Sequence, residues 1–206
     1  MDFNSIIGQK DVIDALKRSL SKDRVGHAYI FSGPAGIGKK TISHIYAGLL
    51  LCEKPHSDST CGKCTPCILY ENGTNPDFNV VNTEENSIGV DMIREIQKDV
   101  AIRPMYSRHK VYIIEDAGKM TVQAQNCLLK TFEEPPAYVV VILLADNYDM
   151  LLETIKSRAQ RLNFKKYTYE QVLQAVVQRY GKDSDSVRLA AEYSDGNIGT
   201  ALELAG

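Results

Sequence analysis

The stretch that most constrains the fold is Tyr29–Thr41, YIFSGPAGIGKKT. Tyr29, Ile30 and Phe31 make an apolar run of buried-strand length. Gly33, Pro34, Ala35, Gly36, Ile37 and Gly38 form a glycine-rich turn. Lys39 then opens an amphipathic segment with Ile42, Ile45 and Leu49 on one stripe. Strand, tight loop and helix in that order predict a phosphate cradle, in which backbone N–H groups and the helix N-terminus face anionic oxygens. The spacing Gly33-x4-Gly38-Lys39 follows the P-loop pattern up to its last position, where a Ser or Thr hydroxyl holds Mg²⁺. Lys40 stands there instead. An ammonium cannot ligate a cation and repels one. Thr41 is no simple replacement, because one residue along a helix turns a side chain by about 100°. The expectation is a site for ATP with its Mg²⁺ chemistry impaired.

The next informative segment is Lys110–Asp116, KVYIIED. Its apolar residues predict a strand buried on both faces, as in a parallel sheet. Glu115 and Asp116 stand at its C-terminal end, where such sheets bind ligands. Further along, Val139–Leu144 is another buried-strand run, ending at Asp146-Asn147.

Cys52, Cys61, Cys64 and Cys67 follow the glycine-loop helix as C-x8-C-x2-C-x2-C. Four thiolates this close suit one tetrahedral Zn²⁺ in a closed, structural site. Free surface thiols are the alternative. The fifth cysteine, Cys127, falls beside Leu128 and Leu129 and is expected in the core.

Remaining periodicities fill in the rest. Val12, Ile13, Leu16 and Leu20 recur at helical spacing near the start, and residues 88–100 read as a helix. Residues 75–81 predict a strand. Residues 120–136 predict a helix stopped by Pro135-Pro136. After Phe164 the texture becomes wholly helical: segments at 169–180, 187–193 and 200–205, with a turn at 181–184. His27, beside the first strand, is expected to be packed rather than chemical.

A chain of 206 residues can bury a full core. Its net charge of -2 argues against a free-standing nucleic-acid binder, while allowing DNA contact within an assembly. The absence of a membrane-length apolar run and of a charged-then-apolar leader predicts a cytoplasmic protein without membrane contact.

These motifs, in this order, resemble bacterial clamp-loader subunits, a branch of the AAA+ ATPases. The residues that carry the resemblance are GQKDVIDALKRSL, VGHAYIFSGPAGIGKKT, the four-cysteine insert, and CLLKTFEEPP. It implies an α/β AAA+ P-loop NTPase core with a helix-flanked parallel sheet over residues 1–165. The zinc-binding insert lies at 52–67, and a small three-helix lid spans 166–206. In that family the paired carboxylates run Asp then Glu, the first organising hydrated Mg²⁺ and the second polarising water. This chain has Glu115 then Asp116. The resemblance places a γ-phosphate sensor near Asn147, and an arginine that reaches a neighbour's ATP site within serine-arginine-cysteine. Here Ser157 and Arg158 match and Ala159 replaces the cysteine. A second sensing arginine would fall at Gly199.

Lys40, the Glu115-Asp116 order and Gly199 all depart at the chain's own site, whereas Arg158 is kept. Among DNA polymerase III clamp-loader subunits this combination resembles the delta-prime branch. The resemblance implies a non-hydrolysing member of a five-subunit ring with gamma/tau and delta, helping to load the sliding clamp onto primer-template DNA. The alternative is an active motor of the gamma/tau type; a P-loop kinase is more distant. Family members continue into a further helical collar domain, so the chain is expected to be a fragment.

Overall fold

The computed structural model describes residues 2–82, 85–181 and 184–206. Five strands, β1 (Ala28–Ser32), β2 (Phe78–Val81), β3 (Lys110–Ile114), β4 (Val139–Ala145) and β5 (Gln160–Asn163), form one sheet in the order β2-β3-β4-β1-β5. Every pairing is parallel. Such a sheet needs cover on both faces, and alternation within each strand supplies it. Tyr29 and Phe31 of β1 join Val111, Ile113, Ile142 and Leu144 on one side, while Ala28 and Ile30 join Tyr112, Ile114, Val141 and Leu143 on the other.

The first face is covered by α1 (Lys10–Ser21) and α2 (Lys39–Leu51), through Val12, Leu16, Ile42 and Tyr46. The second is covered by α4 (Val90–Val100) and α5 (Val122–Glu133), through Ile93, Ile96, Ala124 and Leu128. Thr121 caps α5, its side chain accepting from the Ala124 N–H, and Pro135-Pro136 follows its end. His27 packs edge-on against Phe132 on this side.

Three helices follow β5: α7 (Tyr169–Tyr180), α8 (Asp185–Tyr193) and α9 (Ile198–Ala205). A Thr168/Gln171 capping box starts α7, and Gly181 in the left-handed region (φ 73°) ends it. Val172, Val176, Val187, Ala191 and Ala201 bury the inner faces of this unit. The turn expected at 181–184 includes Lys182 and Asp183, which lie outside the described residues.

Several elements differ from the sequence expectations. Nothing in the sequence predicts β5, because QRLN has no apolar alternation; only Leu162 is buried, as an edge strand requires. A helix that the cysteine spacing does not predict, α3 (Thr65–Glu71), carries the last cysteine, with Pro66 in its first turn. A further short helix, α6 (Glu153–Lys156), precedes Ser157. The strand expected over 75–81 begins at Phe78, since Asn75 accepts from the Asp77 N–H and holds a turn. Cys127 is half-buried rather than core, its thiol donating to Gln97 Oε1 at 3.2 Å. Among the described residues no helix is long and apolar enough to cross a membrane.

Candidate nucleotide cleft, cysteine cluster and exposed arginine

β1 ends at Ser32, and the chain turns through Gly33–Gly38 into α2. Gly36 (φ 72°) and Gly38 (φ 91°) lie in the left-handed region, which a side chain would disfavour. The loop sits beside an open cleft of about 660 Å³ at the C-terminal ends of the strands. Gly36, Gly38, Lys39, Lys40 and Thr41 line one wall. Glu115, Asp116 and Asp146 line another, and Ile6, Ile7, Ile198 and Leu202 supply apolar surface. The position and mixed lining suit a nucleotide, with phosphates at the loop and a base against apolar side chains.

The lysines and carboxylates beside the loop are paired with one another, while Arg179 of α7 lines the cleft outside these pairs. Lys39, 6 % exposed, donates from Nζ to the carbonyls of Gly33 and Pro34, both at 2.5 Å, and pairs with Asp146 Oδ1 at 2.7 Å. Lys40 Nζ lies 2.8 Å from Glu115 Oε1 and 3.1 Å from Oε2. Asp116 begins a turn in the left-handed region (φ 49°), and its carboxylate pairs with Lys119 at 3.0 Å. These residues do not fit Mg²⁺: the P-loop hydroxyl is missing, and the carboxylate nearest the loop is held by an ammonium. Thr41 lines the cleft, exposed, one position further along α2.

Asn147 is not among the residues lining the cleft. Its side chain accepts from the Asp149 N–H at 3.0 Å and caps a short turn. Its neighbour Asp146 is the residue that reaches Lys39. Gly199 is placed tightly. Its N–H donates to Gly36 O at 3.1 Å, and a Cβ there would stand 2.9 Å from Gly36 Cα. Two residues not singled out from the sequence complete this contact. Asn197 Nδ2 donates to Ala35 O at 2.5 Å, and Tyr167 Oη donates to Ile37 O at 3.1 Å. Three successive loop carbonyls thus accept from the helical unit. Gly196 and Asn197 before α9 signal a helix start, but nothing local says which loop it meets.

The four cysteines converge from separate elements. Cys52 caps the end of α2, Cys61 lies in the following loop, Cys64 caps α3 and Cys67 sits in its first turn. Their sulfurs all lie within 4.8 Å of one another, with Cys61 Sγ 3.9 Å from Cys67 Sγ. A tetrahedron of four Zn–S bonds near 2.3 Å needs sulfurs roughly 3.8 Å apart. The set can therefore hold a metal ion and leaves no ligand position open. The Lys63 and Cys64 N–H groups hold the Cys61 thiol down to about 6, favouring thiolate. Burial pushes Cys52 and Cys67 the other way, an opposition that a cation would remove.

Arg158 lies outside the cleft, just after α6. Its guanidinium donates to Glu133 Oε1 at 3.0 Å, to Thr154 O at 3.2 Å and to Ser157 Oγ at 3.4 Å. Ser157 Oγ donates to Thr154 O at 3.1 Å. The side chain is 37 % exposed, and Glu133 opposite it is 51 % exposed, so the pair is open to solvent.

A family model described as "DNA polymerase III, delta subunit" matches residues 8–168. Across 98 % of the chain it is 35 % identical to the tau subunit of DNA polymerase III from Bacillus subtilis (37 % of that protein) and 32 % identical to a gamma subunit from Buchnera aphidicola (57 % of that protein). The delta' subunit of Pseudomonas aeruginosa is 41 % identical over 64 % of this chain and 41 % of its own length. The chain thus spans between about a third and three fifths of these curated relatives. Two solved structures share the fold. A DNA polymerase III gamma subunit-related protein from Thermotoga maritima has TM-score 0.67 at 24 % identity, covering 95 % of this chain and 57 % of that one. The Thermotoga RuvB branch migration motor has TM-score 0.64 at 17 % identity, covering 97 % and 61 %. The extent of the family match, on an α/β fold of the AAA+ kind, shows that this chain belongs to the DNA polymerase III delta-subunit-like clamp-loader family.

Proposed function

We propose that the chain is the AAA+ portion of a clamp-loader subunit that does not hydrolyse ATP at its own site and lends Arg158 to a neighbouring subunit. Residues 1–165 are the nucleotide-binding core and 166–206 the lid. Its partners are gamma/tau and delta subunits in a pentameric ring, and through them the sliding clamp and primer-template DNA. Four cysteine ligands in a closed set support structural Zn²⁺.

The observation that carries this reading is the Lys40–Glu115 ion pair. It stands where hydrolysis needs a metal and its carboxylate. Arg158, by contrast, is open to solvent, its one ionic partner an exposed carboxylate, Glu133, beside hydrogen bonds to Thr154 O and Ser157 Oγ. Exposed pairs of this kind are worth about 0–1 kcal/mol, so a phosphate on another subunit competes easily. Arginine suits such a transfer because it stays charged and presents a planar fork of donors.

Steady-state ATPase of the chain alone tests the first half; turnover around 1 per second or faster overturns it. The second half is tested by Arg158→Ala in full-length protein reconstituted with its partners at matched assembly. Single-turnover hydrolysis at the neighbouring site should fall on the order of 10³-fold, with Arg158→Lys nearly as harmful. Unchanged hydrolysis and clamp loading leave Arg158 an ordinary surface residue.

A second reading, an active motor of the gamma/tau type, is favoured by one observation. The tau and gamma relatives align with 98 % of the chain, the delta' relative with 64 %. The same ATPase measurement separates the two.

A further inference from the structure

The two ammonium groups at the loop are unequal in what they have left to give. An ammonium has three N–H donors. Lys39 gives two to Gly33 O and Pro34 O, and its charge is matched by Asp146 at 2.7 Å. It is also buried at the base of the loop. Lys40 gives one, to Glu115 Oε2 at 3.1 Å, and keeps two; Glu115 Oε1, 2.8 Å from the ammonium, receives no hydrogen bond from it. Its side chain is 64 % exposed, while that of Glu115 is 15 % exposed. The carboxylate is therefore the fixed partner, and the ammonium can pivot on it into the cleft.

We propose that Lys40 takes the place of the metal, so that this cleft accepts its nucleotide as the metal-free polyphosphate anion, with the ammonium bridging Glu115 and the phosphate oxygens. This rests on reading the cleft as a nucleotide site. Mg²⁺ would have to enter beside a resident cation and compete with it for Glu115, at a position where no hydroxyl awaits it. A nucleotide free of metal meets no such conflict. It carries the charge that Lys40's remaining donors and the N-terminus of α2 can receive. The ligand class is a nucleoside di- or triphosphate. Its complex with Mg²⁺, the form used by hydrolysing P-loop proteins, is the one disfavoured.

The test is a fluorescence titration of the chain with N-methylanthraniloyl-ADP, once in Mg²⁺-free buffer without chelator, so that the cysteine cluster keeps its ion, and once in excess MgCl₂. The expected result is binding in Mg²⁺-free buffer at least as tight as in Mg²⁺. Lys40→Thr, which supplies the missing hydroxyl, should shift the ratio of the two affinities toward Mg²⁺ by about tenfold, roughly one unit charge's worth of binding. Lys40→Met, which keeps the shape and drops the charge, should weaken binding in Mg²⁺-free buffer. Glu115→Gln should tighten binding in Mg²⁺-free buffer by releasing the ammonium. Far-UV circular dichroism and melting curves matched to wild type certify that each variant is folded. Tighter binding of wild type in Mg²⁺, an unchanged ratio in Lys40→Thr, or no binding in either buffer would each overturn the proposal. Hydrolysis of Mg-ATP, assayed on the same samples, separates the two ideas. No binding with no turnover sinks only the replacement of the metal, whereas turnover sinks the non-hydrolysing reading.

Discussion

The two ends of α2 carry two candidate sites built on opposite principles. At the N-terminal end, the lysines and carboxylates beside the loop are matched in pairs of opposite sign: Lys39 with Asp146, Lys40 with Glu115, Asp116 with Lys119. At the C-terminal end, Cys52 meets three further sulfurs within 4.8 Å. A cluster of like ligands is incomplete alone, since ionising several thiols side by side costs energy until a cation joins them. A set of matched pairs is complete already. The same helix therefore ends in one site that can hold a metal ion and one whose charges are matched from within. Likeness to a known motif does not distinguish them; the sign and pairing of the charges do.

The largest effect should come from emptying the cysteine end. Cys67→Ser, or stripping zinc with a chelator, removes a ligand set whose binding energy is coupled to folding. A loss of about 3 kcal/mol or more is expected, lowering the melting temperature by roughly 6–12 °C for a chain of this size. Elemental analysis of the dialysed wild-type protein should return about one zinc per chain. A metal-free preparation that melts like wild type would break the comparison at its cysteine end.

A smaller effect is expected where the helical unit meets the loop. Gly199→Ala puts a Cβ 2.9 Å from Gly36 Cα and 3.1 Å from Gly36 O, both backbone atoms that cannot swing aside. The cost should be about 1–3 kcal/mol, as for overpacking, read by urea denaturation. Gly199→Arg should therefore fail to act as a restored sensing arginine unless the unit shifts. If Gly199→Ala is as stable as wild type, the contact between Gly199 and the loop is loose.

The smallest effect is the most local. His44 lies one turn beyond Lys40 on α2. Burial, helped by the Lys40 charge and opposed by Glu115, holds its imidazole below the ordinary histidine range. Titration followed by NMR should show that depressed value in wild type. In Lys40→Thr the opposing Glu115 charge remains alone, so the value should rise. A His44 that titrates identically in both proteins would mean that the Lys40 charge is not felt at His44.

Much of this was legible in the sequence, for definite reasons. Buried central strands such as VVVIL announce themselves because both faces must be apolar. Short-range ligand sets such as Cys61, Cys64 and Cys67 sit within one turn or loop of each other. What stayed hidden depends on distant parts of the chain. The edge strand Gln160–Asn163 is polar and becomes a strand only because β1 offers it a backbone ladder. Asp146 and Asn147 are adjacent, and composition cannot say which turns toward Lys39; the capping bond from Asp149 to Asn147 does. Gly199 reads as a missing arginine, whereas the packed chain uses it as a close backbone contact. The pairing of Lys40 with Glu115 spans 75 residues, and no local pattern encodes it.

The sheet order also has a consequence in time. β1 pairs with β4 and β5, so Ala28 must wait for Val141, and Tyr29 for Gln160. At synthesis rates of about 5–20 residues per second, that interval is roughly 6–25 s. During it β1 is an apolar segment with both edges open. The cysteine segment closes over only residues 52–67 and can fold as soon as it leaves the ribosome. Limited proteolysis of stalled nascent chains would show the order, with the metal segment protected before the strand behind it. On the ribosome, the first strand made is held open until the last two strands of its sheet arrive.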